Sequence, residues 1–269
     1  MRAMAALSTK LISSIIFILT LAACTSGGGG VDFEPGAVRV NVSLVGPVTD
    51  SEDSINGIDK AVSYWRQIYG HADINLDVEM YSFDGPRTLP NPKNGDALYQ
   101  MISSATRPNA VNIVFGSQVS GLRDFNSGEN FGIPGGSPGS LQPSPNSAVA
   151  ISVLQITGAD GLFDYGKDGA TERFDAEKRV AAEEMARLTA VYLGVPLLVR
   201  FQGGQVAGSD TLGDTPSCIT YISCRETENT RGNVMFPFPM PKESILDEFY
   251  PRDQLTFSQR DLILSGMRP

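Results

Sequence analysis

The chain has 269 residues, and 41% of them are hydrophobic, which is enough to build the core of a globular domain. It carries 30 acidic and 21 basic residues, giving a formal net charge of -9. An acidic surface repels phosphate backbones and anionic lipid headgroups, so the composition argues against nucleic-acid binding and against electrostatic docking to a membrane.

The N-terminal segment has the features of a bacterial lipoprotein signal. Arg2 and Lys10 precede the apolar run LISSIIFILTL, and Leu-Ala-Ala stands directly before Cys24. This run is too short to span a membrane, and its combination with basic and small flanking residues is typical of a secretory signal peptide. The sequence Leu-Ala-Ala-Cys resembles the lipobox, which implies that residues 1–23 are removed and that Cys24 becomes the lipidated N-terminus.

Removal of this segment would change both the charge and the location of the chain. Without Arg2 and Lys10, 19 basic residues remain against 30 acidic ones, so the formal charge becomes -11. Residues 24–35 include TSGGGG and predict a flexible tether. We expect acyl chains on Cys24 to hold a single domain, residues 36–269, at the inner or outer membrane of the bacterial envelope. The alternative is an ordinary signal peptide followed by a chance Cys.

The first elements of the domain predict a strand, a helix and a second strand. Residues 37–45 and 73–83 alternate apolar and polar side chains, which predicts half-buried strands. Residues 52–69 place apolar side chains at three- and four-residue intervals up to Gly70, which predicts an amphipathic helix. A connection between the two strands that is long enough to contain a helix favours their parallel pairing.

The remaining elements complete an α/β (α+β) domain with one mixed, twisted sheet, two long helices and an irregular C-terminal half that ends in a helix. Thr256 and Gln259 have capping-box spacing at the start of that last helix. Two segments rich in Gly, Pro or Asp predict long surface loops, which are either binding loops or tolerated insertions. The predicted ranges are helices at 96–105, 178–195 and 255–269, strands at 110–117 and 148–156, and loops at 128–147 and 157–172.

Two cysteines lie six positions apart in the C-terminal half. An exported domain encounters an oxidising compartment, so a disulfide between Cys218 and Cys224 is favoured over two free thiols. Two cysteines alone are too few for a structural zinc site, which usually has four Cys or His ligands.

Several passages together resemble the metzincin-like zinc peptidases that bacteria secrete. The helix at 178–195 carries Glu-Glu-Met-Ala-Arg where that family has H-E-x-x-H-x-x-G-x-x-H. The passages NAVNIVFGS, GDTPSC, GNVMFP and LTFSQRDLIL match in the same order, so the likeness covers roughly residues 36–269. The resemblance implies a metzincin-like domain with Met235 in the turn beneath the site.

The zinc-binding histidines of that family are absent from this helix. Zinc catalysis needs three protein ligands and an open position for water, and an Arg side chain cannot lose its proton to become a ligand. The single His of the chain, His71, is expected in a solvated turn. We therefore expect no metal cofactor. When the family motif is aligned with this helix, its three His positions fall on Glu183, Arg187 and Leu193. Its catalytic Glu falls on Glu184, and its Gly falls on Ala190.

The substituted residues predict an ion pair instead of a metal. Glu183 and Arg187 are four residues apart on the helix, in the favourable order for a salt bridge. Ala190 favours continuation of the helix to Leu193, away from the site. Since Glu184 then has no bound water to activate, Glu184→Gln is expected to leave the stability of the protein nearly unchanged.

Three functions remain open from the sequence. The first is a lipid-anchored, catalytically inactive metzincin-like protein that acts as a binding or structural module. The second is an active metallopeptidase or another hydrolase with a non-standard site, including a glycosidase with paired carboxylates. The third is a partner for an active peptidase homologue, acting as inhibitor, scaffold or decoy. The sequence does not identify the protein or peptide partner that a binding module would have.

Overall fold

A five-stranded mixed sheet forms the centre of the domain in the computed structural model, which describes residues 37–105, 107–123, 128–157, 171–202, 205–239 and 250–268. These residues belong to one compact unit, Glu34–Pro269. The described strands are β1 (Ala37–Val45), β2 (Asn75–Phe83), β3 (Thr88–Leu89), β4 (Val111–Gly116), β5 (Gln118–Val119), β6 (Gly132–Pro134), β7 (Ala148–Ser152), β8 (Val199–Gln202) and β9 (Gln205–Ser209). The described helices are α1 (Glu52–Gly70), α2 (Ala97–Ile102), α3 (Val153–Thr157), α4 (Thr171–Tyr192), α5 (Tyr221–Glu226), α6 (Glu228–Arg231) and α7 (Phe257–Gly266).

The strand order of the sheet is β2-β1-β4-β7-β6. β1 pairs in parallel with β2 over all nine residues, as predicted from the helical crossover between them. β1 also pairs in parallel with β4, and β4 with β7, while the edge strand β6 runs antiparallel to β7. The predicted fold class, a mixed α/β domain with two long helices and a C-terminal helix, is confirmed.

The two faces of the sheet are covered by different helices. The larger hydrophobic cluster contains residues of α1 and α4 together with strand residues on one face of the sheet, such as Val40 and Ile113. A smaller cluster contains residues of α2 together with strand residues on the opposite face, such as Val114. All six residues of β4 are buried, because both of its faces are covered. Tyr69 connects the two long helices, since its hydroxyl donates to the Ala186 carbonyl oxygen at 2.8 Å.

The segment at 128–147 contains a strand, contrary to the prediction of an irregular surface loop. Gly132–Pro134 pairs with β7 at the edge of the sheet. A Cβ at Gly132 would lie 2.5 Å from the Ala150 carbonyl oxygen and 2.7 Å from Leu188 Cδ1, so the missing side chain permits this close packing. The edge position also tolerates Pro134, which has no N–H to donate.

Other boundaries differ modestly from the predicted ones. The strand predicted at 148–156 ends at Ser152, and α3 replaces its second half. α4 ends at Tyr192 in a Schellman motif, where Gly194 has a φ of 97° and Val195 N–H donates to the Ala190 carbonyl oxygen at 2.9 Å.

Three sequence-based predictions concern segments outside the described residues. These are the signal peptide with Cys24, the tether at 24–35, and most of the loop at 157–172. Within the described parts of the chain, no helix is both long and apolar enough to cross a membrane.

Candidate functional site

Four buried charged side chains meet where α4 faces the segment that leads into α7. Glu183, Glu184 and Arg187 come from consecutive turns of α4, and Arg252 comes from the segment before α7. Each of the four is exposed by 2% or less. We refer to these four residues as the buried ion network.

Arg252 joins both carboxylates to the rest of the domain. Its Nε donates to Glu183 Oε2 at 3.0 Å, its Nη2 donates to Glu184 Oε1 at 2.6 Å, and its backbone N–H donates to Glu183 Oε1 at 3.0 Å. The remaining nitrogen, Nη1, donates to the Phe236 carbonyl oxygen at 2.9 Å. Arg252 therefore makes four hydrogen bonds without contact with water.

Arg187 pairs with Glu184, not with Glu183 as its spacing predicted. Its Nε donates to Glu184 Oε2 at 3.1 Å, and its Nη2 donates to the same oxygen. The i,i+4 rule describes two isolated residues on an exposed helix, whereas here Arg252 already occupies the Glu183 carboxylate. The prediction of a Glu183–Arg187 pair is wrong because a cation distant in sequence takes one of the partners.

The two carboxylates differ in their electrostatic environment. Burial raises the pKa of Glu183, and Arg252 offsets this rise only in part. Burial acts on Glu184 in the same direction, but the guanidinium groups of Arg187 and Arg252 together outweigh it and hold its pKa below the usual value. For Arg252, burial is outweighed by the two carboxylates, so its pKa lies above its usual value. Glu184, which faces two cations, is the more firmly ionised of the two carboxylates.

Leu193, the predicted position of a third ligand, lies in the hydrophobic core and not in the buried ion network. A Cβ at Gly266 of α7 would lie 2.5 Å from the Leu193 carbonyl oxygen, so the chain after α4 packs closely against the C-terminal helix. As predicted, Ala190 does not interrupt the helix, which instead ends at the turn formed by Gly194.

Met235 is completely buried in a turn, and the next residue of that turn, Phe236, contacts the buried ion network. Its backbone N–H donates to Asn233 Oδ1 at 2.8 Å, and its carbonyl oxygen accepts from Leu198 N–H at 3.0 Å. The adjacent Phe236 carbonyl oxygen accepts from Arg252. The Met235 side chain contributes to core packing, and its turn supplies one backbone acceptor to the charged site.

The other predicted site residues lie elsewhere. The disulfide between Cys218 and Cys224 is present, with the two Cα atoms 5.0 Å apart. His71 is exposed at the C-terminal end of α1, as expected for a turn residue. Sequence reasoning missed Arg252, because a single Arg in the passage YPRDQL gives no sign that it packs against residues about 70 positions earlier.

The residues of this site do not fit a metal ion. Among the residues that the structure describes, no three His, Cys, Asp or Glu side chains are grouped so that they could hold one. Both carboxylates already accept hydrogen bonds from guanidinium groups, which are permanent cations and cannot become ligands. A cation placed here would be repelled by Arg187 and Arg252.

Among the comparisons with known proteins, similarity is found to solved structures. No protein-family model matches the chain, and no curated protein sequence matches it. Among solved structures, the chain is similar to archaemetzincin from Methanopyrus kandleri, with a TM-score of 0.47 and 11% sequence identity over 88% of this chain and 99% of that one.

Proposed function

We propose that this protein is a lipid-anchored, non-catalytic module of the bacterial envelope in which a metzincin-like domain carries the buried ion network in place of a metal centre. The observation that supports the proposal is the pair of completely buried guanidinium groups. Arg252 donates to both carboxylates and Arg187 donates to Glu184, at the position where the resemblance would place a metal.

The network lacks the features that hydrolysis needs. A general base must reach a water or a substrate proton within hydrogen-bond distance. Glu184 is fully buried, and its two oxygens accept from Arg187 and Arg252. A base with a lowered pKa and no access to water is poorly suited to remove a proton. The charged site is instead suited to hold α4, the Met235 turn and the segment before α7 in a fixed arrangement.

The module would then act by binding or by structural support at the membrane surface. Acyl chains on Cys24 would supply the attachment, because the acidic domain gains nothing from anionic headgroups. Its partner would be a protein or a peptide, and nucleic acid is disfavoured by the same negative charge.

Metal content and chelator sensitivity test the non-catalytic proposal. We expect the protein, purified with zinc in the buffers and then dialysed, to contain no stoichiometric zinc by mass spectrometry. We also expect EDTA to leave its Tm unchanged, because no metal-binding free energy would be linked to folding. One equivalent of tightly bound zinc, together with a peptidase activity that Glu184→Gln abolishes, would support the active-enzyme alternative.

Fractionation of cells tests the anchor separately. Cys24→Ser is expected to move the protein from the membrane fraction to the soluble periplasmic fraction, since it removes the thiol that would be lipidated. Ser26→Ala is the matched control, because it changes a nearby small residue and keeps Cys24. Full membrane association of the Cys24→Ser protein would contradict the anchor.

A further inference from the structure

A cavity of about 340 Å³ lies between the turn after α1 and the start of α7. It is separate from the buried ion network, and none of the four network residues lines it. Its walls combine apolar, acidic and basic side chains within a small space. The lining residues are His71, Ala72, Asp73, Asp214, Leu255, Thr256, Phe257 and Arg260.

Arg260 provides this cavity with a positively charged side chain. Its side chain makes no hydrogen bond or ion pair with any residue that the structure describes, and its Nε is buried without an acceptor. Guanidinium groups pair most strongly with carboxylates in a bidentate arrangement, and the Arg260 side chain forms part of the cavity wall. The cavity is therefore equipped to receive an anionic group at Arg260.

Two aspartates on the same walls supply negative charge. Asp214 is fixed at the start of α7, where its oxygens accept from Thr256 Oγ1 at 3.1 Å and from Ser258 N–H at 2.9 Å. These two bonds leave further acceptor sites on the carboxylate. Asp73 is exposed, and the fixed backbone turn around it has a φ of 53°. Neither aspartate forms an ion pair with Arg260 across the cavity among the described contacts.

The third component is an apolar surface at the rim. Phe257 is 78% exposed, which is unusual for a large aromatic side chain, and Leu255 and Ala72 extend this surface into the cavity. Apolar contact with a ligand would remove this surface from water.

We propose that this cavity binds a free α-amino acid with an apolar side chain. The carboxylate of the ligand would pair with Arg260, its ammonium group with Asp73 and Asp214, and its side chain would pack on Leu255 and Phe257. A simple anion is a poorer fit because two carboxylates line the cavity, and a simple cation is a poorer fit because of Arg260. A zwitterion satisfies both charges.

Titration calorimetry with the intact protein tests this proposal. The probes are L-leucine, L-phenylalanine and N-acetyl-L-leucine amide, which keeps the side chain and lacks both charges. We expect the two amino acids to bind with a Kd of about 1 mM or tighter and the capped amide to bind at least about tenfold more weakly. Arg260→Gln and Asp73→Asn are each expected to weaken leucine binding by about tenfold or more. Asn suits the φ of 53° at position 73, so the backbone is preserved.

Matched variants separate a binding role from a structural one. Arg66→Gln makes the same charge change on an exposed position of α1 away from the cavity walls, and it is expected to bind leucine like the wild type. Arg260→Lys retains the positive charge and is expected to bind with intermediate affinity, which keeps the test available if Arg260→Gln folds poorly. Absence of leucine binding up to about 10 mM, equal binding of the capped amide, or unchanged binding in folded Arg260→Gln would each overturn the proposal. None of these outcomes depends on zinc content or on Cys24.

Discussion

Among the residues that the structure describes, two clusters share the same composition of two arginines and two carboxylates and lie in opposite environments. The buried ion network has no access to solvent. The other cluster joins β1, the edge strand β2 and the segment before β4, and we refer to it as the surface cluster. It contains Arg39, Asp77, Glu79 and Arg107, whose side chains are 21%, 51%, 47% and 21% exposed.

The difference between the clusters lies in what replaces a lost partner. In the surface cluster, Arg107 donates to Asp77 at 3.1 Å and to Glu79 at 2.8 Å, and water can solvate either carboxylate if the pair breaks. In the buried network no water replaces a removed charge, so the remaining partner stays buried and unpaired. Similar hydrogen bonds should therefore have very different effects on stability, and four substitutions and a change of pH test this.

The largest effect is expected from Arg252→Met, which keeps most of the side-chain volume and removes the charge. Glu183 would lose its cation and the Phe236 carbonyl oxygen would lose a donor. We expect the free energy of unfolding, measured in urea, to fall by about 3–5 kcal/mol. Arg66→Met, on an exposed turn of α1, is the matched control and should change it by less than about 0.5 kcal/mol. A loss below about 1 kcal/mol for Arg252→Met would contradict the importance of burial.

The next effect separates the two adjacent glutamates. Glu184→Gln leaves Arg187 without its carboxylate partner, so we expect a loss of about 2–3 kcal/mol. This replaces the expectation from sequence that Glu184→Gln is neutral. Glu183→Gln leaves Arg252 paired with Glu184, and it removes the carboxylate whose ionisation burial disfavours, so about 1 kcal/mol or less is expected. Equal losses of the free energy of unfolding in Glu184→Gln and Glu183→Gln would contradict the different roles of the two glutamates.

A change of pH is expected to alter the free energy of unfolding by a smaller amount, with opposite signs for the contributions of Glu183 and Glu184. The lowered pKa of Glu184 stabilises the fold above the unfolded pKa of about 4.3, and this contribution is lost as the pH falls through the folded pKa. The raised pKa of Glu183 destabilises the fold near neutral pH, and this penalty disappears as the pH falls towards about 4.3. The stability of the wild type relative to Glu183→Gln should therefore increase as the pH is lowered from 7 to about 4.5. The stability of the wild type relative to Glu184→Gln should decrease as the pH is lowered below about 4.3. Urea unfolding across this range measures both differences, and the same sign for both would contradict the assignment.

The smallest effect is expected in the surface cluster. Asp77→Asn removes a carboxylate that contacts Arg39 at 3.7 Å and Arg107 at 3.1 Å, yet its side chain is half exposed. We expect a loss of about 0.2–1 kcal/mol at low salt that shrinks further in about 1 M NaCl, because ions screen exposed charges. A loss as large as that of Glu184→Gln would show that exposure does not separate the clusters.

Local signals predicted the parts of the fold that local chemistry determines. Alternating and helical periodicity identified β1 and α1, and the Thr256–Gln259 capping box is present, with Gln259 N–H donating to Thr256 Oγ1 at 3.3 Å. The Cys218–Cys224 disulfide was also predicted, from the short spacing and from the oxidising compartment expected for an exported domain. In each case the residues that decide the outcome are near one another in the sequence.

Contacts between distant residues were not predictable in this way. Arg252 approaches Glu183 across 69 positions, and no periodicity in either segment indicates it. The strand at Gly132–Pro134 was missed because Gly and Pro are usually turn residues, and only its edge position and its contact with Leu188 explain it. The motif comparison located the helix positions of the candidate site but not the cation that completes it.

The position of β2 at the end of the strand order has a consequence for self-association. In the described part of the chain, one long edge of this nine-residue strand pairs with β1 and the other has no partner strand. Open edges of this length invite pairing with a second copy. Asp77 and Glu79 are half exposed on this strand, so an edge-to-edge dimer would bring carboxylates of two copies close together. Although Arg39 and Arg107 pair with these carboxylates, burying charged side chains at a new interface would remove them from water, which disfavours aggregation through this edge.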